Sequence, residues 1–309
     1  MSDRSDPREH RIVTKNRHIR PLEPARPRPD TPREESSWWA ILNSLGVRPS
    51  KAMGQNFLHE SGVVRHIAQV AEIEPDDLVV EIGPGLGVLT RELSARAGRV
   101  IAVELDTRLA EYIRRLELPN TELVEADILQ VDLKALTGGK RYVVVANLPY
   151  SVAAAAIAHL LESEARPARI IVMVQREVAE RIIAAPPQMN LLSIAVQLFG
   201  TPRIMFKIGP GAFVPAPKVE SAVIKIDVFA APSVSDTERK AFFRIVKAGF
   251  RQKRKQLANA ISAALAITKA EAEHALTEAG IDPSRRAQTL SLDDWVKLHT
   301  TLASTRTDD

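Results

Sequence analysis

The sequence predicts an α/β fold: a mostly parallel sheet with helices on both faces, followed by a smaller all-helical C-terminal domain. Three observations carry that expectation. Short β-branched runs alternate with helical patterns from residue 38 to about residue 230, as in sheets built by crossover connections. Beyond Asp236 the chain is helical in pattern to about Leu302. Its 309 residues suffice for a full α/β core plus a second, smaller unit.

The elements follow in order. Residues 1–37 are rich in Arg and Pro and show no hydrophobic periodicity; nine basic residues (eight Arg and Lys15) stand against seven acids. Such a segment cannot bury enough apolar area to offset its ordering entropy, so a disordered extension is expected. It reads as a solvated tail or as a basic arm for RNA, and its acids argue against a transit peptide. Helices are expected at 38–45, 63–71, 89–97 and 109–116, and strands at 78–82, 99–104, 121–126, 142–146 and 169–174. Two more strand-like runs, 193–198 and 219–228, flank the turn-prone segment 210–217 and predict an antiparallel edge. The linker 230–235 marks a boundary, giving an α/β domain at 38–230 and a helical domain at 231–309.

Composition bounds compartment and partner. The formal charge of +4 and a pI near 9.4 favour a polyanionic partner. There is no cysteine, which excludes disulfides, thiolate zinc sites and a cysteine nucleophile. No apolar run reaches the roughly 18 residues that span a bilayer, and the N-terminus has no apolar signal core, so a cytoplasmic protein without a membrane partner is expected. The seven histidines are scattered without ligand spacing, so no metal is expected.

Two motifs close two of the expected strands. Leu78-Val79-Val80 runs into Glu81-Ile-Gly83-Pro-Gly85-Leu-Gly87, a tight turn whose missing side chains let a ligand approach the backbone. Its spacing is not G-x-G-x-x-G, and it lacks the Lys-Ser/Thr of a triphosphate cradle, so alone it also reads as a packing turn. Glu104 ends the next strand, 19 residues after Gly85, where an acid accepts bonds from ribose hydroxyls. Asp127 ends the third, where a carboxylate can receive an adenine amino group. Read singly, either acid serves equally well as a helix cap.

The fourth strand ends in Asn147-Leu148-Pro149-Tyr150. The exocyclic amine of adenine is a poor nucleophile because its lone pair is delocalised into the ring. Accepting hydrogen bonds from its two N–H groups favours a pyramidal nitrogen aimed at an electrophilic methyl. The Asn147 amide oxygen and the Leu148 carbonyl suit that task, and Tyr150 offers a stacking face worth roughly 1–3 kcal/mol per base. Read without the glycine turn, the motif is only a strand-to-loop breaker. A nucleotide-type cofactor beside a base-holding site reads as nucleobase methylation.

With these motifs stand Gln55-Asn56-Phe57-Leu58, Glu104-Leu-Asp106, Ala126-Asp127, Phe213-Val-Pro-Ala-Pro-Lys-Val-Glu-Ser-Ala222, Phe250-Arg-Gln-Lys-Arg-Lys255 and Arg286-Ala-Gln-Thr-Leu-Ser291. In these blocks, from about residue 51 to 298, the chain resembles the small-subunit (16S) ribosomal RNA adenine N6,N6-dimethyltransferases associated with kasugamycin sensitivity. That resemblance implies a Rossmann-like methyltransferase sheet using S-adenosylmethionine and no metal. It implies that Asn56 and Leu58 cover the donor, Gly83 and Gly85 line it, Glu104 holds its ribose and Asp127 its adenine. Asn147 would stand between donor and target, with Leu148 and Pro149 beside it, and Phe213 would sandwich the target adenine against Tyr150. By itself Phe213 reads equally as a packed loop anchor, and Ala216 stands where the family commonly has proline.

Arg244, Lys247, Arg251 and Lys255 fall at helical steps of three and four on one stripe, with Lys253 and Arg254 beside them. Phe243, Val246, Phe250 and Leu257 are expected on an inward stripe. A charge run is commonly a solvated face, but no acid interrupts residues 241–266, which favours phosphate contact. The resemblance implies 16S rRNA, in the small subunit or its precursor, as the partner of a monomer that dimethylates two adjacent adenines near the rRNA 3′ end. Two other readings stay open: a large-subunit (23S) adenine methyltransferase conferring antibiotic resistance, and a non-catalytic assembly or transcription factor on this fold. Leu148, the Gln-Lys-Arg-Lys run and the 286–291 block favour the small-subunit branch. Intact Asn147, Tyr150 and Glu104 argue for catalysis.

Overall fold

A computed structural model describes residues 32–49, 55–149, 151–252 and 255–304. In chain order its elements are α1 (Pro32–Ser44), β1 (Phe57–Leu58), α2 (Ser61–Val70), β2 (Leu78–Ile82), α3 (Val88–Ser94), β3 (Arg99–Glu104) and α4 (Thr107–Arg114). Next come β4 (Thr121–Glu125), α5 (Leu133–Thr137), β5 (Tyr142–Asn147), α6 (Ala153–Glu162), β6 (Arg169–Gln175), α7 (Arg176–Ile182) and α8 (Leu191–Gln197). The chain continues through β7 (Gly200–Ile208), β8 (Phe213–Val214), β9 (Ser221–Val228), α9 (Arg239–Arg251), α10 (Leu257–Leu265), α11 (Lys269–Glu278) and α12 (Leu292–Ser304).

Seven strands form the main sheet in the order β4-β3-β2-β5-β6-β9-β7. The first five are parallel, and β9 runs antiparallel to both β6 and β7. Strand order reverses between β2 and β5, so their C-terminal ends open the crevice in which such sheets bind ligands. The five residues of β2 are all buried, and those of β5 are buried up to Ala146. Burial on both faces explains why these strands read as unbroken apolar runs. Val80, Ile82, Val144 and Ala146 pack on one face, and Val79, Val143 and Val145 on the other.

Two expectations need correction. Residues 193–198 are not a strand: 193–197 belong to α8 and Leu198 caps its C-terminus. Asn190 caps that helix, its side chain accepting from the Leu192 and Ser193 amides at 3.0 and 3.2 Å, while Ser193 Oγ accepts from the Asn190 amide at 2.9 Å. This reciprocal box starts a helix where composition alone suggests a strand. The edge strand instead begins at Gly200, and β9 starts at Ser221, not 219. Helix α1 begins at Pro32, inside the segment expected to be disordered. A proline at the first helical position lacks only an N–H that would have no partner there.

The C-terminal helices are not packed apart from the sheet. One apolar cluster includes Val144 of the sheet, Leu160 of α6 and Phe199 beyond α8, and continues into Phe242, Leu257 and Trp295. At the junction Arg166 bonds Asp236 at 2.6 Å, and the Arg166 and Arg239 guanidinium groups both lie over the Phe199 ring. No helix among the described residues is long and apolar enough to cross a membrane.

Candidate active site

The glycine turn gathers the site at the crevice. Gly83 and Gly85 have φ of +69° and +56°, a left-handed backbone that favours glycine. A Cβ on Gly83 would lie 3.2 Å from the Asn147 carbonyl oxygen, and one on Gly85 would lie 3.0 Å from the Phe57 ring. The first approach seats the donor turn against the fourth-strand motif. The second seats it against the segment expected to cover the donor.

Glu104 is 7 % exposed and is fixed by three backbone amides. Gly85 donates to Oε2 at 3.2 Å, while Leu105 and Asp106 donate to Oε1 at 2.9 and 3.0 Å. Burial raises its pKa, and these backbone bonds work in the opposite sense. Two carboxylate oxygens offer about four acceptor sites, so room for a ligand hydroxyl remains. Leu105, 64 % exposed, extends beside it as an apolar shelf.

Asn147 ends β5, and its Nδ2 donates to the Asn56 carbonyl at 3.2 Å. That bond uses the amide nitrogen and leaves Oδ1 as the acceptor. Asn56 and Leu58 line the same cleft with Gly83, Gly85, Glu104, Asn147, Leu148 and Pro149. The covering segment is held from below as well. Strands β1 and β8 pair antiparallel, Leu58 opposite Phe213, and the His59 amide donates to the Ala212 carbonyl at 3.0 Å.

Two expected site residues stand elsewhere. Phe213 does not border the cleft; it is 3 % exposed and packs in the apolar cluster with Leu58, Val79 and Val145. Pairing across β1–β8 turns it inward, so the packed-anchor reading describes its position. Asp127 lies beyond β4 and is not among the residues lining the cleft. Its Oδ1 accepts from the Leu129 amide at 3.0 Å, as a cap does. Tyr150 lies outside the described residues, as do Lys253 and Arg254.

Glu81 has no role in the sequence reading, yet it lines the cleft while only 1 % exposed. Neither of its carboxylate oxygens has a hydrogen-bond partner among the described residues. Burial pushes its carboxyl up to about 8; the nearby Thr90 hydroxyl opposes the rise without reaching hydrogen-bond geometry, and the Glu104 charge adds to it. The available signal was an acid inside the apolar run Leu-Val-Val-Glu-Ile. No cluster of acids and histidines among the described residues has the geometry of a metal site.

On α9, Arg244, Lys247 and Arg251 are exposed; Lys255 is exposed beyond the end of the helix. With Arg239, Lys240 and Phe243 the helix residues form one wall of a groove whose other wall includes Glu162 and Leu191. The inward stripe differs from expectation. Phe242, Ile245, Val246 and Gly249 are buried, whereas Phe243 and Phe250 are half-buried. Packing against α8, α10 and α12 together widens the buried face beyond the expected stripe.

Comparison with known proteins fits this geometry. A 23S rRNA methyltransferase, ErmE, has a solved structure that superposes with a TM-score of 0.66 at 26 % identity, covering 80 % of this chain and all of that one. A dimethyladenosine transferase from Plasmodium falciparum superposes with a TM-score of 0.68 at 24 % identity, covering 81 % of this chain and 98 % of that one, and so shares the fold. The fold and cleft thus define a Rossmann-like methyltransferase. The model of the ribosomal RNA adenine dimethylase family matches residues 48–304. Proteins named ribosomal RNA small subunit methyltransferase A are 40 % identical in Dehalococcoides mccartyi, covering 84 % of this chain and 90 % of that protein, and 41 % identical in Moorella thermoacetica, covering 85 % and 96 %. The chain belongs to the ribosomal RNA adenine dimethylase family and is an enzyme.

Proposed function

We propose that the enzyme uses S-adenosylmethionine to methylate N6 of two adjacent adenines near the 3′ end of 16S rRNA, giving N6,N6-dimethyladenosines. It would act as a cytoplasmic monomer during small-subunit biogenesis. The names of its relatives support the small subunit as the substrate. The observation that carries the chemistry is the Asn147 amide, tied through Nδ2 to Asn56 and left with Oδ1 as an acceptor beside the glycine turn.

The residues present fit this donor. Gly83 and Gly85 make a cradle that side chains would fill, Glu104 is a preset acceptor for ribose hydroxyls, and the unpartnered Glu81 carboxyl suits a cationic amino end. Asp127, one strand beyond Glu104 and outside the cleft lining, would take the adenine amino group in this reading. When bound, the donor supplies an electrophilic methyl on a sulfonium. The protein supplies alignment: in the first transfer Asn147 Oδ1 and the Leu148 carbonyl accept the two N6 hydrogens and turn the nitrogen lone pair toward the methyl, in the second they hold the one hydrogen that remains, and each transfer releases one N6 proton to solvent. Tyr150 would give the base its stacking face; Phe213 supports the covering segment from below. The groove beside α9 presents Arg244, Lys247 and Arg251 to phosphates, and Lys255 follows in the chain.

The test is incubation with labelled S-adenosylmethionine and unmethylated small or large subunits, with products mapped by mass spectrometry. Dimethyladenosine in small-subunit rRNA is expected. Methylation of large-subunit rRNA would transfer the assignment to that substrate. Tight particle binding with no methylation of either would leave an assembly factor.

A further inference from the structure

Helix α1 is tied to the crevice in two ways. Leu42 and Val47 are buried in a cluster with Phe57, Leu86, Leu109 and Val214, apart from the clusters on the two faces of the sheet. Phe57, Leu86 and Leu109 also line the cleft, so α1 packs on the far side of its wall. The turn after α1 makes the second tie. The Gly46 carbonyl accepts from Arg108 Nη1 at 2.7 Å. The same guanidinium forks onto Asp106, Nε to Oδ1 at 3.1 Å and Nη2 to Oδ2 at 2.7 Å. The Asp106 amide in turn donates to Glu104 Oε1.

We propose that α1 is a positioning element for the methyl donor, with Leu42 and Arg108 as its two contacts. This rests on reading the cleft as the donor pocket. Leu42 holds the Phe57 wall against the Gly85 turn, where the ring is already in close contact. Arg108 fixes the loop whose amides orient the Glu104 carboxylate, and it anchors that loop to the carbonyl of Gly46. Neither residue lines the cleft. Loss of either lets the wall or the acid move, which raises the donor's dissociation constant and leaves the transfer step intact.

The test is calorimetric titration of S-adenosylmethionine into the full-length wild type, Arg108→Ala, Leu42→Ala, the double variant, Glu104→Ala and Arg115→Ala, with a thermal melt of each. Arg108→Ala and Leu42→Ala should each weaken donor binding by about three- to tenfold, as expected for one exposed charge fork or one wall contact. The two effects should not multiply, because they share the Glu104–Gly85 geometry. KM for the donor should rise while kcat at saturating donor and the affinity for rRNA hold. Arg115→Ala, which loses only an exposed pair with Glu111, should match the wild type. Should Leu42→Ala fail to fold, Leu42→Val replaces it. Wild-type donor affinity in folded Arg108 and Leu42 variants, with affinity lost in Glu104→Ala, overturns this proposal alone. A wild type that binds no donor overturns the reading beneath it.

Discussion

The crevice and the α9 face are built on opposite principles. In the crevice the functional groups are backbone amides and carbonyls, one tethered amide and two carboxyls almost closed to solvent, each held by a specific partner or by burial alone. On α9 they are exposed cationic side chains on a scaffold whose buried face does the packing. A preset acceptor in a low-dielectric cleft has no substitute when it is lost. A phosphate contact in solvent is one of several and is screened by salt. Damage should therefore be abrupt in the crevice and graded on the helix.

The sharpest break in that comparison is Asn147→Ala. It removes an acceptor that matters most as the target nitrogen becomes pyramidal, so dimethyladenosine formation in single turnover should fall by about 10²–10³-fold. Donor affinity and subunit binding should stay within a few-fold. Near wild-type turnover would overturn the assigned chemistry.

Glu104→Ala comes next. Charge-assisted bonds of this kind are worth roughly 1.5–3 kcal/mol, so calorimetry should find donor affinity lower by about 10- to 100-fold. Glu104→Gln, which keeps one acceptor oxygen, should fall between. Unchanged affinity in both would place the ribose elsewhere.

Glu81 sharpens the contrast through pH. Its unfolded carboxyl titrates near 4.3, whereas burial holds the folded group up to about 8. The unfolded chain thus releases this proton first, and the group's favourable contribution is complete below about pH 4.3 and lost as pH rises toward about 8. Melting curves of the ligand-free protein should show Glu81→Gln flattening the loss of stability between pH 5 and 8, by several degrees. A parallel pH dependence in the variant would mean that Glu81 is ionised in the fold.

The smallest effects belong to α9. Each of Arg244→Ala, Lys247→Ala and Arg251→Ala should weaken rRNA binding a few-fold and lower the log–log salt slope by up to about 0.9 per lost contact on duplex. Donor affinity should not move. An identical slope in filter binding would reduce the stripe to a solvated surface.

What the sequence disclosed follows the same division. Four of the five parallel strands, β2, β3, β5 and β6, are legible because burial on both faces demands nearly unbroken apolar runs such as Tyr142–Ala146, whereas β4 lies at the sheet edge and stays half-exposed. The glycine turn and Glu104 are legible because their spacing is fixed by one strand–helix–strand unit. Residues 193–198 mislead because a short apolar run does not declare its period, and only the Asn190–Ser193 box decides it. The Asn147–Asn56 bond joins residues 91 positions apart, and no local pattern encodes it. Phe213 turns inward for a similar reason, since its partner Leu58 lies far back in the chain. The buried face of α9 is broader than the expected stripe because α8, α10 and α12 all pack against it.

The apolar cluster shared by the sheet and the C-terminal helices has a mechanical meaning. With Val144, Phe199, Phe242 and Trp295 in one close-packed body, the span between the basic face and Asn147 is set like the jaws of a calliper locked at one gauge. If RNA is held at α9 as proposed, it would bring to the crevice only those nucleotides whose distance along its own fold matches that gauge. On that reading, selection among the many adenines of a long RNA would be a measurement of length as much as a recognition of bases.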